Sequence, residues 1–242
     1  MANQHRYGLR PVAHQSGSEL PQPIRGYVSD DYQAATVVGA GTSVNLNTYD
    51  PVYRGEDGCI KLTQQGQDVS GPNADSDDYI SHVIVGWERT RSSAGDMEQR
   101  SFLAGATSFT GGIGGDQAPI ALIVPVDGMI FEIDADAALA TPTKSGALAL
   151  IGKTCSIVYS VQTAGVVGAP KANPLLDISV AEAAANTDQN QVMIVGLGAK
   201  GDAMDFTAAF LTFQVKVMAL AGSPGADISA TAYAGNFGAN VE

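Results

Sequence analysis

From Thr42 onward the chain is a succession of short runs of Val, Ile, Tyr, Phe and Thr, each closed within a few residues by Gly, Asp, Asn or Pro. β-branched and aromatic side chains suit a pleated, half-buried surface, while Gly, Asp and Asn accept the dihedral angles of tight turns. This pattern specifies strands and turns. The expected strands are 43–46, 52–53, 60–62, 80–87, 120–125, 129–133, 154–161, 175–178, 191–196 and 206–220. Helical stretches at 135–139, 144–151 and 180–185 are all shorter than about ten residues, too short to stand without tertiary support, so they act as connectors. Strands do not alternate with long helices and no unit repeats at a fixed period, which argues against α/β and solenoid architectures. The fold class that follows is mainly β: an antiparallel β-sandwich or barrel-like domain with short connecting helices and an extended N-terminal arm. Asp57-Gly58 and Asp127-Gly128 each fall between two apolar runs, where a tight hairpin needs a positive φ.

The arm is residues 1–40, where Pro11, Pro21 and Pro23 alternate with Gly8, Gly17 and Gly26 and no helical period appears. Up to Ser29 it holds three arginines against one glutamate, a balance of +2 in a chain whose net charge is −12, so the rest carries −14. Opposite signs allow the arm to lie on an acidic neighbour, a second copy included. Arg6, Tyr7, Arg10, Ile24, Arg25 and Tyr27 are the candidate interface residues within it. The alternative is a terminus that frays. The body spans 41–220, with a long glycine-rich loop at about 91–118, and an Ala/Gly-rich tail follows at 221–242.

A chain of 242 residues buries roughly 70–75% of its unfolded surface if it folds as one unit, so core size sets no limit. Only 16% of the residues are charged and acids outnumber bases 25 to 13, which disfavours general binding to nucleic acid. No apolar run approaches the roughly 18 residues of a membrane span and the first ten residues lack a signal core, so the chain reads as cytosolic when made, with no membrane partner.

The chemical motifs are weak. Gly196, Gly198 and Gly201 follow a strand-like run and match the dinucleotide fingerprint, but two acids and another strand-like run follow where a helix should open, so a glycine-rich hairpin is expected and no cofactor. Asn73, Asp75 and Asp77 alternate like the start of a calcium loop, yet the later positions are Asp78 and Ile84 instead of Gly and Glu, which leaves a solvated turn and no metal site. Glu132, Asp134 and Asp136 alternate at a strand end and read as a solvated face more readily than as a glycosidase pair. Cys59 and Cys155 lie 96 residues apart without metal-binding neighbours and read as small buried hydrophobes. His82 is the one candidate base in the body and has no partner in sequence, so no catalytic residue is assigned and the chain is read as a non-enzyme. Trp87 suits either the edge of the core or an interface.

The opening Arg6-Tyr7-Gly8-Leu9-Arg10-Pro11-Val12, then Asp50-Pro51-Val52-Tyr53, Asp57-Gly58-Cys59-Ile60 and the run 80–86 together resemble the decoration (cement) proteins of tailed-bacteriophage capsids. The stretches 125–134 and 191–196 are similar to further elements of the larger marine-phage versions. The resemblance implies a β-rich, non-enzymatic protein on the virion exterior, made in the host cytoplasm, with the major capsid protein and itself, often as a homotrimer, as partners. The rival readings are a tail or minor head protein, a β-sandwich carbohydrate-binding module and, further off, a small hydrolase built on His82.

Overall fold

The computed structural model describes residues 8–17, 20–29, 45–55, 58–63, 80–91, 97–98, 102–103, 118–161, 172–182, 191–198, 205–207 and 209–218. In chain order the elements are β1 (Arg10–His14), β2 (Ile24–Tyr27), β3 (Leu46–Asn47), β4 (Pro51–Arg54), β5 (Ile60–Leu62), β6 (His82–Arg91), β7 (Met97–Glu98) and β8 (Phe102–Leu103). They continue with β9 (Ile120–Pro125), β10 (Met129–Asp134), α1 (Lys144–Leu148), β11 (Thr154–Cys155), β12 (Ile157–Val161), β13 (Ala172–Leu176), α2 (Ile178–Glu182), β14 (Val192–Leu197) and β15 (Thr212–Val217). The protein is mainly β, its named strand pairs are antiparallel, and the arrangement is consistent with a β-sandwich. The two helices are single short connectors; 135–139 is not a helix, and Ala135 instead bridges Leu176.

Two sheets organise the chain. The first runs β2-β9-β6-β4-β5, with β7 on β6, and the second runs β1-β10-β15-β14-β11. Each curls toward closure: Val28, just past β2, bridges Ile60 of β5, while Ala135, just past β10, bridges Leu176 of the β12–β13 hairpin. Inward side chains from both sheets merge in one hydrophobic core that includes Val52, Ile60, Ile84 and Ile123 from the first and Phe131, Phe213, Ile194 and Val215 from the second. Burying each such side chain stabilises the fold by about 1.5–3 kcal/mol. The buried Tyr159 donates its hydroxyl to the Thr63 carbonyl at 2.7 Å and ties the β12–β13 hairpin to the end of β5.

The two Asp-Gly turns have different outcomes. Gly58 has φ +74°, the Gly55 amide donates to Cys59 O at 2.8 Å, and β4 and β5 pair as a hairpin. Gly128 has φ +68° and the Met129 amide closes a turn onto Val126 O at 3.1 Å, yet β9 and β10 belong to different sheets. The expected hairpin there is corrected to a crossing. Each strand has two edges, and those of β9 are taken by β2 and β6 while those of β10 are taken by β1 and β15. With both edges filled by distant segments, the tight turn redirects the chain from one sheet to the other.

The leader supplies two of those distant segments. Its described residues include two extended strands, as the prolines and glycines imply, but these are not separate from the body. Ile24–Tyr27 pairs with Ile123–Ile120, the Val28 amide donates to Pro119 O, and Arg10–His14 pairs with Glu132–Met129 across a bulge between Pro11 and Ala13. Leu9 and Val28 are fully buried in the core. At the crossing the Gln15 amide donates to Gly128 O at 2.8 Å, and the His14 ring lies where a Cβ on Gly128 would stand, 2.6 Å from Nε2. The leader thus follows 119–132 antiparallel through the crossing.

Deletion of residues 2–28 removes two edge strands and two core side chains and opens the backbone edges of β9 and β10. The expected result is loss of the cooperative thermal transition followed by circular dichroism. A truncated chain that melts like the full-length protein contradicts this placement of the leader.

Candidate functional site

The interface candidates in the leader occupy the outer edges of the two sheets. Ile24 is 46% exposed, Arg25 is exposed and Tyr27 half-buried on β2, while Arg10 is half-buried on β1; Arg6 and Tyr7 lie outside the described residues. The charges of this edge have mates within the chain. Arg25 makes a two-pronged contact with Glu88 on β6, Nε to Oε2 at 2.6 Å and a terminal nitrogen to Oε1 at 2.9 Å. Arg10 pairs with Glu132 directly across the β1–β10 register. The opposite signs of leader and body therefore meet inside one molecule at both described arginines. The Arg25–Glu88 pair is exposed and contributes about 0.2–1 kcal/mol, so it fixes register more than it stabilises, while in the Arg10–Glu132 pair the carboxylate is buried.

Trp87 is 8% exposed and belongs to the core cluster. It lies on β6 between two irregularities in the β6–β9 register, and its indole N–H meets no acceptor among the described residues. Its neighbour Glu88 points outward to hold Arg25, so the surface of β6 at this place presents the ion pair and not the aromatic ring.

The carboxylates of β10 are corrected from a solvated face to an interior one. Glu132 and Asp134 are 4% and 2% exposed because β10 is covered on both sides, with Phe131 and Ile133 fully buried on the alternate positions. Glu132 takes the Arg10 guanidinium and Asp134 Oδ1 accepts from the Thr212 hydroxyl at 2.7 Å, its mate across β15. Asp136, past the strand, accepts the Ile178 amide at 3.0 Å. Burial raises its carboxyl above the usual range, and the nearby Asp177 adds to the effect. These groups are committed to holding strand ends and the start of α2. Cys155 is buried close to Asp136 and Asp177, and burial followed by those two charges pushes its thiol up to about 12, which removes it as a nucleophile at neutral pH. Cys59 is likewise a buried free thiol.

His82 does have a serine beside it: Nδ1 and the Ser81 hydroxyl are 2.8 Å apart, and that hydroxyl is 3.3 Å from Val52 O. Desolvation, followed by the charge of Arg54, lowers the imidazole to about 4. A general base works best with its pKa near the operating pH and with a carboxylate behind it. Here the neighbouring charge is a cation, which opposes the imidazolium that proton abstraction would form. Such a pair suits a neutral structural histidine on the β4–β6 ladder, where His82 faces Val52. Among the described residues no group of three or more His, Cys, Asp or Glu side chains is arranged to hold a metal ion, and no helix is long and apolar enough to cross a membrane. The calcium-like run at 73–78 lies outside the described residues.

Gly196 and Gly198 of the fingerprint lie at the end of β14, which pairs antiparallel with β15 through Gly196–Gln214 and Leu197–Phe213. The Gly198 amide donates to Thr212 O at 2.9 Å. The chain therefore runs strand, connection, strand, as the sequence implies; Gly201 is outside the described residues. What requires glycine at 198 is close approach: an added Cβ would stand 2.9 Å from Thr212 Cβ and Cγ2. Sequence reasoning did not single out the exposed apolar side chains Leu20, Leu148 and Ile151, at 46%, 45% and 42% exposure. The last two sit in an apolar run, 147–151, whose inward and outward members look alike in sequence.

Comparison with protein-family models, with curated proteins and with solved structures finds no match to this chain.

Two measurements check this geometry. Gly198→Val forces the new side chain into Thr212 and is expected to cost about 1–3 kcal/mol in urea unfolding, as overpacking does, with no heat of NAD binding in calorimetry before or after the change. Unchanged stability, or saturable NAD binding by the native chain, contradicts it. For His82 the folded pKa lies below the unfolded value of 6.5, so the folded state favours the neutral ring. Its contribution is complete above pH 6.5 and is lost as the pH falls toward 4, because only the unfolded chain takes up the proton in that window. Denaturation midpoints should fall across that window and fall less in His82→Gln; equal slopes in the two proteins contradict the assignment.

Proposed function

We propose that this chain is a structural virion protein that binds the outside of an icosahedral bacteriophage shell and stabilises contacts between capsid subunits, acting by surface contact and not by catalysis. The observation that carries the reading is where the segments resembling decoration proteins fall. The described part of the opening motif, 8–12, leads into β1, Asp50–Tyr53 enters β4, 58–60 leads into β5, 80–86 runs into β6, 125–134 makes the crossing turn and β10, and 191–196 runs into β14. These are connected parts of one two-sheet scaffold, so the resemblance follows the framework of the protein and is not confined to an isolated loop. A protein of this kind works through many weak contacts repeated over a lattice, where multivalency turns a modest affinity per site into durable attachment. The chemistry described above is compatible with that role: its buried carboxylates and histidine are used in holding strands, and its thiols are enclosed.

The major capsid protein is the proposed partner. Quantitative mass spectrometry of purified particles tests the reading, with the ratio of this chain to the main shell protein as the quantity measured. A ratio corresponding to hundreds of copies per particle is expected. About a dozen copies or fewer, as the symmetry of a tail or portal dictates, would assign the chain to that part of the virion, and absence from particles would overturn the proposal.

A further inference from the structure

Three arginines of this acidic chain have mates within it: Arg10 meets Glu132, Arg25 meets Glu88, and Arg89 donates from Nε to Ala118 O at 2.8 Å. Arg54, exposed at the end of β4, makes no hydrogen bond or ion pair with any described residue. Alternation along β4 puts Arg54 on the same face as Val52, and Val52 lies directly across from His82 on β6. Arg54 and His82 are therefore diagonal neighbours, about 7–8 Å apart at the backbone and within reach of a long side chain. The Ser81 hydroxyl donates to Val52 O at 3.3 Å, so at the 2.8 Å contact with Ser81 Oγ it is Nδ1 of His82 that carries the proton. That tautomer leaves a lone pair on Nε2 which no described residue fills, on a half-buried ring beside an unpaired guanidinium. Desolvation and the Arg54 charge keep the ring neutral, no carboxylate is among the groups that act on it, and its neighbour on β9 is Pro125.

We infer that Arg54 and His82 form a binding site for one phosphate group in its protonated, singly charged form, as the free ion or as a monoester. A guanidinium beside an imidazole lone pair calls for an oxyanion that brings its own hydrogen: an anionic oxygen accepts from Arg54 while a P–OH donates to Nε2. A carboxylate or a sulfate carries no such hydrogen near neutral pH. Either would set a lone pair against Nε2 unless the ring took up a proton, which its burial and the Arg54 charge oppose. The second ionisation of a phosphate monoester has a pKa of about 6, so the form required is abundant in weakly acidic solution and is lost as the pH rises. The net charge of −12 still opposes a polyphosphate chain, so the site is one for a single group. This inference goes beyond the capsid reading and does not depend on it.

Titration of the full-length protein with inorganic phosphate tests it, followed through the imidazole resonances of His82 by NMR at constant ionic strength. At about pH 6 these signals should shift saturably, while those of His14, bonded to Ser16 on the second sheet, stay in place. Sulfate should bind at least about tenfold more weakly, and raising the pH to about 8 should weaken phosphate binding by a similar factor. Arg54→Gln alters an exposed side chain and should leave the melting curve native while weakening phosphate binding about tenfold or more. Methyl phosphate distinguishes the two sources: binding like that of the free ion assigns a monoester end, and loss of binding assigns the free ion alone. No saturable shift at His82, a His14 shift along the same curve, an equal response to sulfate, or a folded Arg54→Gln protein that binds phosphate like the native chain would overturn the inference.

Discussion

The whole architecture depends on the antiparallel pairing of the leader with the strands on either side of the Asp127-Gly128 turn. β9 and β10 each lie inside a sheet, and the turn between them is the shortest covalent link from one sheet to the other. A crossing of this kind leaves four strand edges to be satisfied, and backbone donors and acceptors buried without partners are costly. Two edges are filled by β6 and β15. The other two are filled by the first described part of the chain, which bends at the same place as the strands it accompanies, with His14 over Gly128 and Gln15 bonded to its carbonyl. The core at Leu9 and Val28, the register of both sheets and the Arg10–Glu132 pair all follow from this pairing.

That arrangement also shapes how charge is used. A chain with a basic beginning and an acidic body has the means to bind a copy of itself through the leader, but Arg10 and Arg25 meet Glu132 and Glu88 within the same molecule.

Much of the fold was legible in the sequence wherever the determining contacts are local. The runs 60–62 and 120–125 are strands at the bounds expected, and the hairpin at Gly58 forms because its flanking runs pair with each other. The same dipeptide at 127–128 misled because a turn specifies a reversal of the chain, while the partners of the flanking strands come from segments far along the sequence on either side. The expected strand at 154–161 divides at Ser156, where the backbone leaves β14 for β13, and the one at 206–220 shortens to Thr212–Val217. The alternation of Glu132 and Asp134 normally marks a wet face. Here both residues are enclosed, and the groups that allow it, Arg10 and the Thr212 hydroxyl, are visible only once three strands are in register. Sequence reasoning gave His82 no partner and passed over the adjacent Ser81, and Arg54, whose charge adds to desolvation in lowering the ring, comes from the neighbouring strand.

The central claim, that the leader is a structural part of both sheets, is tested most directly by hydrogen exchange of single amides in the full-length protein. Leu9, Val28 and Ser29 donate to Tyr49, Pro119 and Ile60, so their amides should exchange only through global unfolding, with protection equal to that of Ile84 in β6 and Ile194 in β14. Fast, unprotected exchange at Leu9, Val28 and Ser29 beside full protection at Ile84 and Ile194 would contradict the account and make the leader a detached arm.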